Sequence, residues 1–144
     1  MKLYISYDQV IEQCKILATQ LKEQKPDLIV GIARGGLVPA VHLSHMLDLP
    51  MDTVLWQTRD GGSKEYKRHI SEQIRLRKTV VFVDDINDTG TTFTKLNKFY
   101  GNALYVALLE RPESAFKCDY AGEILTDPSW ICFPWEEEKE TSDE

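Results

Sequence analysis

Four short runs dominated by apolar residues constrain this chain more than any other feature. They are "LIVGI" at 28–32, "DTVLWQ" at 52–57, "KTVVFVD" at 78–84 and "ALYVALL" at 103–109. Strands of this kind are buried on both faces, which requires a sheet covered above and below. Helical segments lie between them. Ser6 and Gln9 have the S-x-x-Q form of a capping box, and Val10, Cys14, Leu17, Ala18 and Leu21 then recur at helical spacing until about Pro26. A second helix is expected after "RGGLVP" through Leu47, and a third from about Thr91 to Tyr100. Strands alternating with helices predict an α/β fold with a mostly parallel, twisted sheet and helices on both faces.

The 144 residues fit one domain. No apolar run approaches the roughly 20 residues of a membrane helix. The first residues lack the apolar stretch of a secretion signal. Cys14, Cys118 and Cys132 show no metal-binding spacing and read as reduced thiols, so a cytoplasmic location is expected and membrane association is not. The net charge of −6 is concentrated at one end, because residues 136–144 hold six acids and one lysine. That segment reads as a solvated, disordered acidic tail, leaving residues 1–135 as the folded domain. With the body near neutral and a single RGG, no nucleic-acid partner is expected.

Residues 58–77 resist the alternating scheme. They are polar, with Gly61-Gly62 near their start, and residues 55–78 hold seven Lys or Arg against three acids. The segment is either a plain solvated excursion or a flexible, basic lid loop, since long loops in small domains are often functional.

The richest chemistry lies in "VVFVDDINDTGTT". An apolar strand delivers Asp84 and Asp85 to its carboxyl end, where ligands of open α/β sheets bind. Asp88 follows, then Thr89, Gly90, Thr91 and Thr92, a hydroxyl-rich turn before a helix that favours an anion. Bare phosphate would be repelled by three carboxylates. A ribose diol can donate to them, and Mg²⁺ can bridge carboxylate and phosphate oxygens. A sugar phosphate carrying further phosphates and Mg²⁺ satisfies all these groups together. Neither G-x-x-x-x-G-K-S/T nor G-x-G-x-x-G occurs. The acid pair lies too far along the chain for a receiver domain.

This stretch resembles the phosphoribosyl diphosphate (PRPP) signature of type I phosphoribosyltransferases, above all the bacterial xanthine–guanine (6-oxopurine) enzymes. "YISYD", "ARGGLVPA", "DTV", "LLERP" and "WICFPWE" follow the family's order over nearly the whole chain. The resemblance implies a single-domain type I phosphoribosyltransferase fold with a lid loop at 58–77 and a small C-terminal hood. It implies that Asp84 and Asp85 hold the ribose hydroxyls of PRPP, directly or through Mg²⁺. Thr89, Gly90, Thr91 and Thr92 would wrap the 5′-phosphate. Arg34, Gly35 and Gly36 would face the pyrophosphate, with Lys64 reaching it from the lid and Lys67 and Arg68 as alternatives. Asp88 would be the general acid/base beside the purine N7. Trp130 and Ile131 would stack and bond the base, and Arg111, where the family carries a lysine, would donate to its 6-oxo group. Two further departures are Cys132, in place of an acid, and the acidic end after "PWE".

The implied reaction is transfer of 5-phosphoribose from PRPP to xanthine, guanine or hypoxanthine, giving a nucleoside monophosphate and pyrophosphate for purine salvage. The implied cofactor is Mg²⁺, the partners are small-molecule substrates, and a homo-oligomer, dimer or tetramer, is expected. The alternatives are a non-catalytic regulator that binds PRPP or a nucleotide on the same fold, and a phosphoribosyltransferase for another base.

Overall fold

Ser6 starts the first long element. Its Oγ accepts the Gln9 N–H at 3.1 Å, and the Gln9 Oε1 accepts the Ser6 N–H at 2.9 Å, which closes the expected capping box. The computed structural model describes residues 1–56 and 66–136. In chain order it contains β1 (Lys2–Tyr4), α1 (Tyr7–Lys22), β2 (Leu28–Ala33), α2 (Leu37–Leu47) and β3 (Met51–Leu55). Then come α3 (Arg68–Arg75), β4 (Val80–Asn87), α4 (Thr91–Tyr100), β5 (Leu104–Glu110), β6 (Tyr120–Ile124) and β7 (Trp130–Cys132).

Five parallel strands form the main sheet in the order β3-β2-β4-β5-β6. Its two faces are covered as the apolar runs require. On one side Val10, Cys14, Leu17 and Leu21 of α1 and Ala40 and Leu43 of α2 pack on Ile29, Val81, Val83 and Val106. On the other, Ile70 of α3 and Phe93, Leu96 and Tyr100 of α4 pack on Val30, Ile32, Phe82 and Tyr105. The strand period of two therefore sends Val81 and Val83 into one core and Val80 and Phe82 into the other. A separate parallel pair, β1 with β7, lies outside this sheet.

Two expectations change. β4 runs three residues past Asp84, because its ladder with β5 continues through Asp84↔Ala107, Ile86↔Leu109 and Asn87↔Glu110. Its ladder with β2 ends at Val83. The segment expected as a loop through residue 77 is helical from Arg68, where Ile70 is fully buried. Residues 57–65, which contain Gly61, Gly62 and Lys64, lie outside the described residues, as does the acidic segment 137–144. The two ends flanking 57–65 meet the same helix. The Trp56 ring sits 5.2 Å from Phe99, and Tyr66 stacks on Tyr100 at 5.4 Å.

Among the described residues no helix is long and apolar enough to cross a membrane. Nor does any group of three His, Cys, Asp or Glu among them form a metal cage. All three cysteines are free, and burial pushes the Cys14 thiol up to about 12.

Candidate active site

The site forms where the sheet changes direction. β2 connects outward to β3, and the chain then returns to place β4 on the other side of β2. That reversal opens a crevice beyond the carboxyl ends of β2 and β4. Ladder pairing between the two strands stops at Gly31↔Val83, so the residues after each are free to face a ligand.

From β2 come Arg34, Gly35 and Gly36. The Ala33–Arg34 peptide is cis, and Gly36 donates to the Ile32 carbonyl at 2.8 Å before capping α2. The loop lies directly on β4. A Cβ on Gly35 would fall 2.0 Å from the Asp85 Oδ2, and one on Gly36 2.1 Å from the Val83 carbonyl. Only glycine allows that approach.

From β4 come Asp84 and Asp85. Asp84 Oδ1 accepts the Asp85 N–H at 2.8 Å, and Asp85 Oδ1 accepts the Ile86 N–H at 2.7 Å. Burial pushes the Asp84 carboxyl well up, and the neighbouring Asp85 charge adds to it. Burial also raises Asp85, with Glu136 contributing in the same direction. Neither is ion-paired among the described residues. Two crowded carboxyls of this kind are a good seat for a divalent cation that takes its remaining ligands from substrate and water, as Mg²⁺ does.

The next turn precedes α4. Gly90 adopts φ 93°, and a Cβ there would meet the Phe116 N at 2.5 Å. Thr89 Oγ1 lies 2.9 Å from Thr91 Oγ1 and accepts the Thr91 N–H at 3.3 Å. The N-cap of α4, Gly90, has no side chain to bond the N–H groups that follow Thr91, and the first N–H groups of a helix have no partner inside it. They point, with the helix dipole, at whatever lies beyond Thr89. A buried polar pair supports this turn from behind. Asn87 Nδ2 donates to Glu110 Oε2 at 2.7 Å and to the Phe116 carbonyl at 2.6 Å. Ala115 donates to the Thr89 carbonyl at 2.9 Å.

Beside these loops opens a cavity of about 830 Å³, lined by Asp88, Arg111, Glu113, Ser129, Trp130 and Met1 among others. Asp88 is exposed, with its Oδ1 3.5 Å from the Arg111 Nε. The Arg111 guanidinium also donates to the Asp127 carbonyl and, at 2.7 Å, to the Ser129 carbonyl. Asp127 Oδ1 accepts the Ser129 N–H at 2.8 Å, and hydrogen bonding from Ser129 holds the Asp127 carboxyl below its usual range. Arg111 thus clamps the segment that leads into β7. Trp130 lines the cavity, with 63% of the whole residue exposed, and its main-chain N–H donates to the Met1 carbonyl at 3.0 Å.

The crevice gathers Arg34, Gly35, Gly36, Asp84 and Asp85, and Thr89 to Thr92 follow at its β4 side. The cavity gathers Asp88, Arg111 and Trp130. Ile131 does not join them. Its side chain is buried in the core with α1, because alternation along β7 turns it opposite to Trp130. Lys64 lies outside the described residues. Lys67 is engaged elsewhere, its Nζ 3.0 Å from Asp52. Burial raises the Asp52 carboxyl, but hydrogen bonds from Thr53, His69 and Lys67 outweigh it and leave it below its usual range. Sequence reasoning missed Glu113 and the Asn87–Glu110 pair. An Asn between a phosphate-type turn and a buried strand was the available signal for the latter.

A family model described as "Phosphoribosyl transferase domain" matches residues 6–138. The xanthine-guanine phosphoribosyltransferase of Cereibacter sphaeroides is 32% identical, over 92% of this chain and 86% of that protein. The purine phosphoribosyltransferase structure from Pyrococcus horikoshii is 33% identical, superposes with a TM-score of 0.79, and covers 96% of each chain. The xanthine-guanine-hypoxanthine phosphoribosyltransferase of Helicobacter pylori, at 22% identity and a TM-score of 0.73 over 94% of each chain, shares the fold. With the family model spanning residues 6–138 and a relative 32% identical over 92% of this chain, the chain belongs to the phosphoribosyl transferase domain family.

Proposed function

We propose that this protein transfers the 5-phosphoribosyl group of PRPP to a 6-oxopurine and releases pyrophosphate, a purine-salvage reaction. The carrying observation is the Asp84–Asp85 pair, set against Gly35 on one side and followed by the Thr89–Thr92 turn on the other. Those three elements match the diol, pyrophosphate and 5′-phosphate of one donor. Similarity to xanthine-guanine and purine phosphoribosyltransferases supports the acceptor class.

In this reading the C1′–O bond to pyrophosphate breaks and a C1′–N9 bond forms to the purine. The backbone of Gly35 and Gly36 and the Arg34 side chain face the departing anion. The first N–H groups of α4 and the Thr89, Thr91 and Thr92 hydroxyls hold the 5′-phosphate. Trp130 supplies a flat apolar wall for the base. Asp88 accepts the N7 proton that the purine sheds as N9 attacks. Asp84 and Asp85 would hold Mg²⁺, which supplies charge neutralisation for the diphosphate.

The test is to incubate the protein with PRPP and each base in turn, with Mg²⁺ or with EDTA, and to measure nucleotide and pyrophosphate. Stoichiometric formation of both, dependent on Mg²⁺, is expected. PRPP binding without nucleotide from any base would instead identify a regulator.

A further inference from the structure

We propose that Glu113 is a specificity-determining residue of the base cavity, whose carboxylate favours guanine over xanthine. The assignment rests on the phosphoribosyl-transfer reading above. Glu113 lines the same cavity as Asp88, Arg111 and Trp130. Its place is built. Pro112 occupies the second position of a turn closed by the Ser114 N–H on the Arg111 carbonyl at 3.1 Å. Ser114 is buried, and its Oγ donates to the Phe116 carbonyl at 2.8 Å. The same stretch is tied to the Thr89 carbonyl through Ala115. The Glu113 carboxylate is also uncommitted, since among the described residues it has neither an ion pair nor a hydrogen bond, whereas Asp88 faces Arg111 at 3.5 Å.

In the transfer reading N7 faces Asp88, and the 6-oxo group falls to the second protons of the Arg111 Nη atoms, whose first protons go to the Asp127 and Ser129 carbonyls. With N7 toward Asp88 and the 6-oxo group toward Arg111, the next atoms along that edge are N1 and the substituent at C2. The next cavity-lining side chain after Arg111 on the same turn is Glu113. A carboxylate can only accept hydrogen bonds. Guanine presents two parallel donors there, N1–H and the 2-amino group, which suit a two-oxygen acceptor. Hypoxanthine presents one. Xanthine presents a 2-oxo acceptor against the carboxylate, and its ring is acidic enough to carry negative charge near neutral pH. Two like charges facing each other cost binding.

The experiment measures kcat/KM for guanine, hypoxanthine and xanthine at saturating PRPP in the parent, Glu113→Gln and Glu113→Ala. The parent is expected to prefer guanine to xanthine by about 10- to 100-fold, the range for a hydrogen bond to a charged group. Both variants are expected to reduce that ratio about tenfold, through the KM for the base, with the KM for PRPP unchanged. A fold-supporting role would lower all three bases together and leave the ratio alone. An unchanged ratio in both variants, or a parent that prefers xanthine, overturns the assignment while leaving the transferase reading intact. No nucleotide from any base with the parent overturns both.

Discussion

Arg111 offers the sharpest test of how the base cavity is held open. Arg111→Met keeps an unbranched stem and removes the guanidinium. Three contacts go with it, to the Asp127 carbonyl, the Ser129 carbonyl at 2.7 Å and Asp88 at 3.5 Å. The ion pair is the minor part, because Asp88 is 64% exposed and such pairs contribute about 0–1 kcal/mol. The two carbonyl bonds matter more. A hydrogen bond from a charged donor is worth roughly 1.5–3 kcal/mol when buried, but surface carbonyls can rehydrate. Rehydration brings each of the two down to about 1 kcal/mol, so about 2 kcal/mol is lost in all. For a chain of this size that corresponds to a fall in Tm of about 4–8 °C. Freeing the segment before Trp130 should also raise the KM for the base, on the order of tenfold or more, as small misplacements do. PRPP binding should not change, since its loops lie on β2 and β4. Arg111→Lys should fall between, because one ammonium can face Asp88 but cannot fork to two carbonyls. Thermal unfolding and steady-state kinetics on the three proteins decide the matter. A Met variant within about 0.5 kcal/mol of the parent, with an unchanged base KM, refutes the clamp.

Asp84→Asn is expected to raise the Tm of the free protein at neutral pH while weakening Mg-PRPP binding. Burial and the Asp85 charge raise the folded-state carboxyl, so the folded chain keeps its proton to higher pH and loses stability as pH climbs through that value. A lower Tm for the Asn variant at pH 7 refutes this sign. Asp88→Asn should cut kcat by about 10²–10⁴-fold with PRPP affinity, read by calorimetry, unchanged; a near-parental kcat removes Asp88 from the proton transfer. Gly35→Ala should abolish detectable PRPP binding, because the new methyl would lie 2.0 Å from the Asp85 carboxylate, and normal binding by calorimetry would show that the loop yields.

What was legible in the chain divides along physical lines. β2, β4 and β5 could be read because both their faces are buried, so their apolar runs are nearly unbroken. β1 and β7 have three residues each, and β6 is an edge strand with exposed Glu123 and Ile124, so neither length nor pattern marked them. α3 has only Ile70 fully buried, although the Ile70–Ile74 spacing was a helical hint within a polar stretch. The donor half of the site was readable because its groups are contiguous, at 34–36 and 84–92. The base half was read only in part: Asp88, Arg111 and Trp130 came through the resemblance, and Glu113 was missed. Arg111 is fixed by main-chain carbonyls, which every residue has, and Glu113 enters the cavity through a turn whose placement depends on Thr89. Ile131 could have been assigned inward from strand alternation alone, once Trp130 faces out.

The pairing of β1 with β7 has a consequence for the order in which the protein becomes competent. Lys2 aligns with Trp130 and Tyr4 with Cys132, so the first strand to be synthesised waits for the last. The five-stranded sheet takes no strand from beyond Ile124, and the glycine loop, the acid pair and the threonine turn all follow from its strands. The Trp130 wall has no partner strand until residues 130–132 reach β1, a closure that is inexpensive only after the sheet has drawn the ends near. In the proposed reading, a growing chain makes its donor loops before the wall of its acceptor cavity has a strand to lie on.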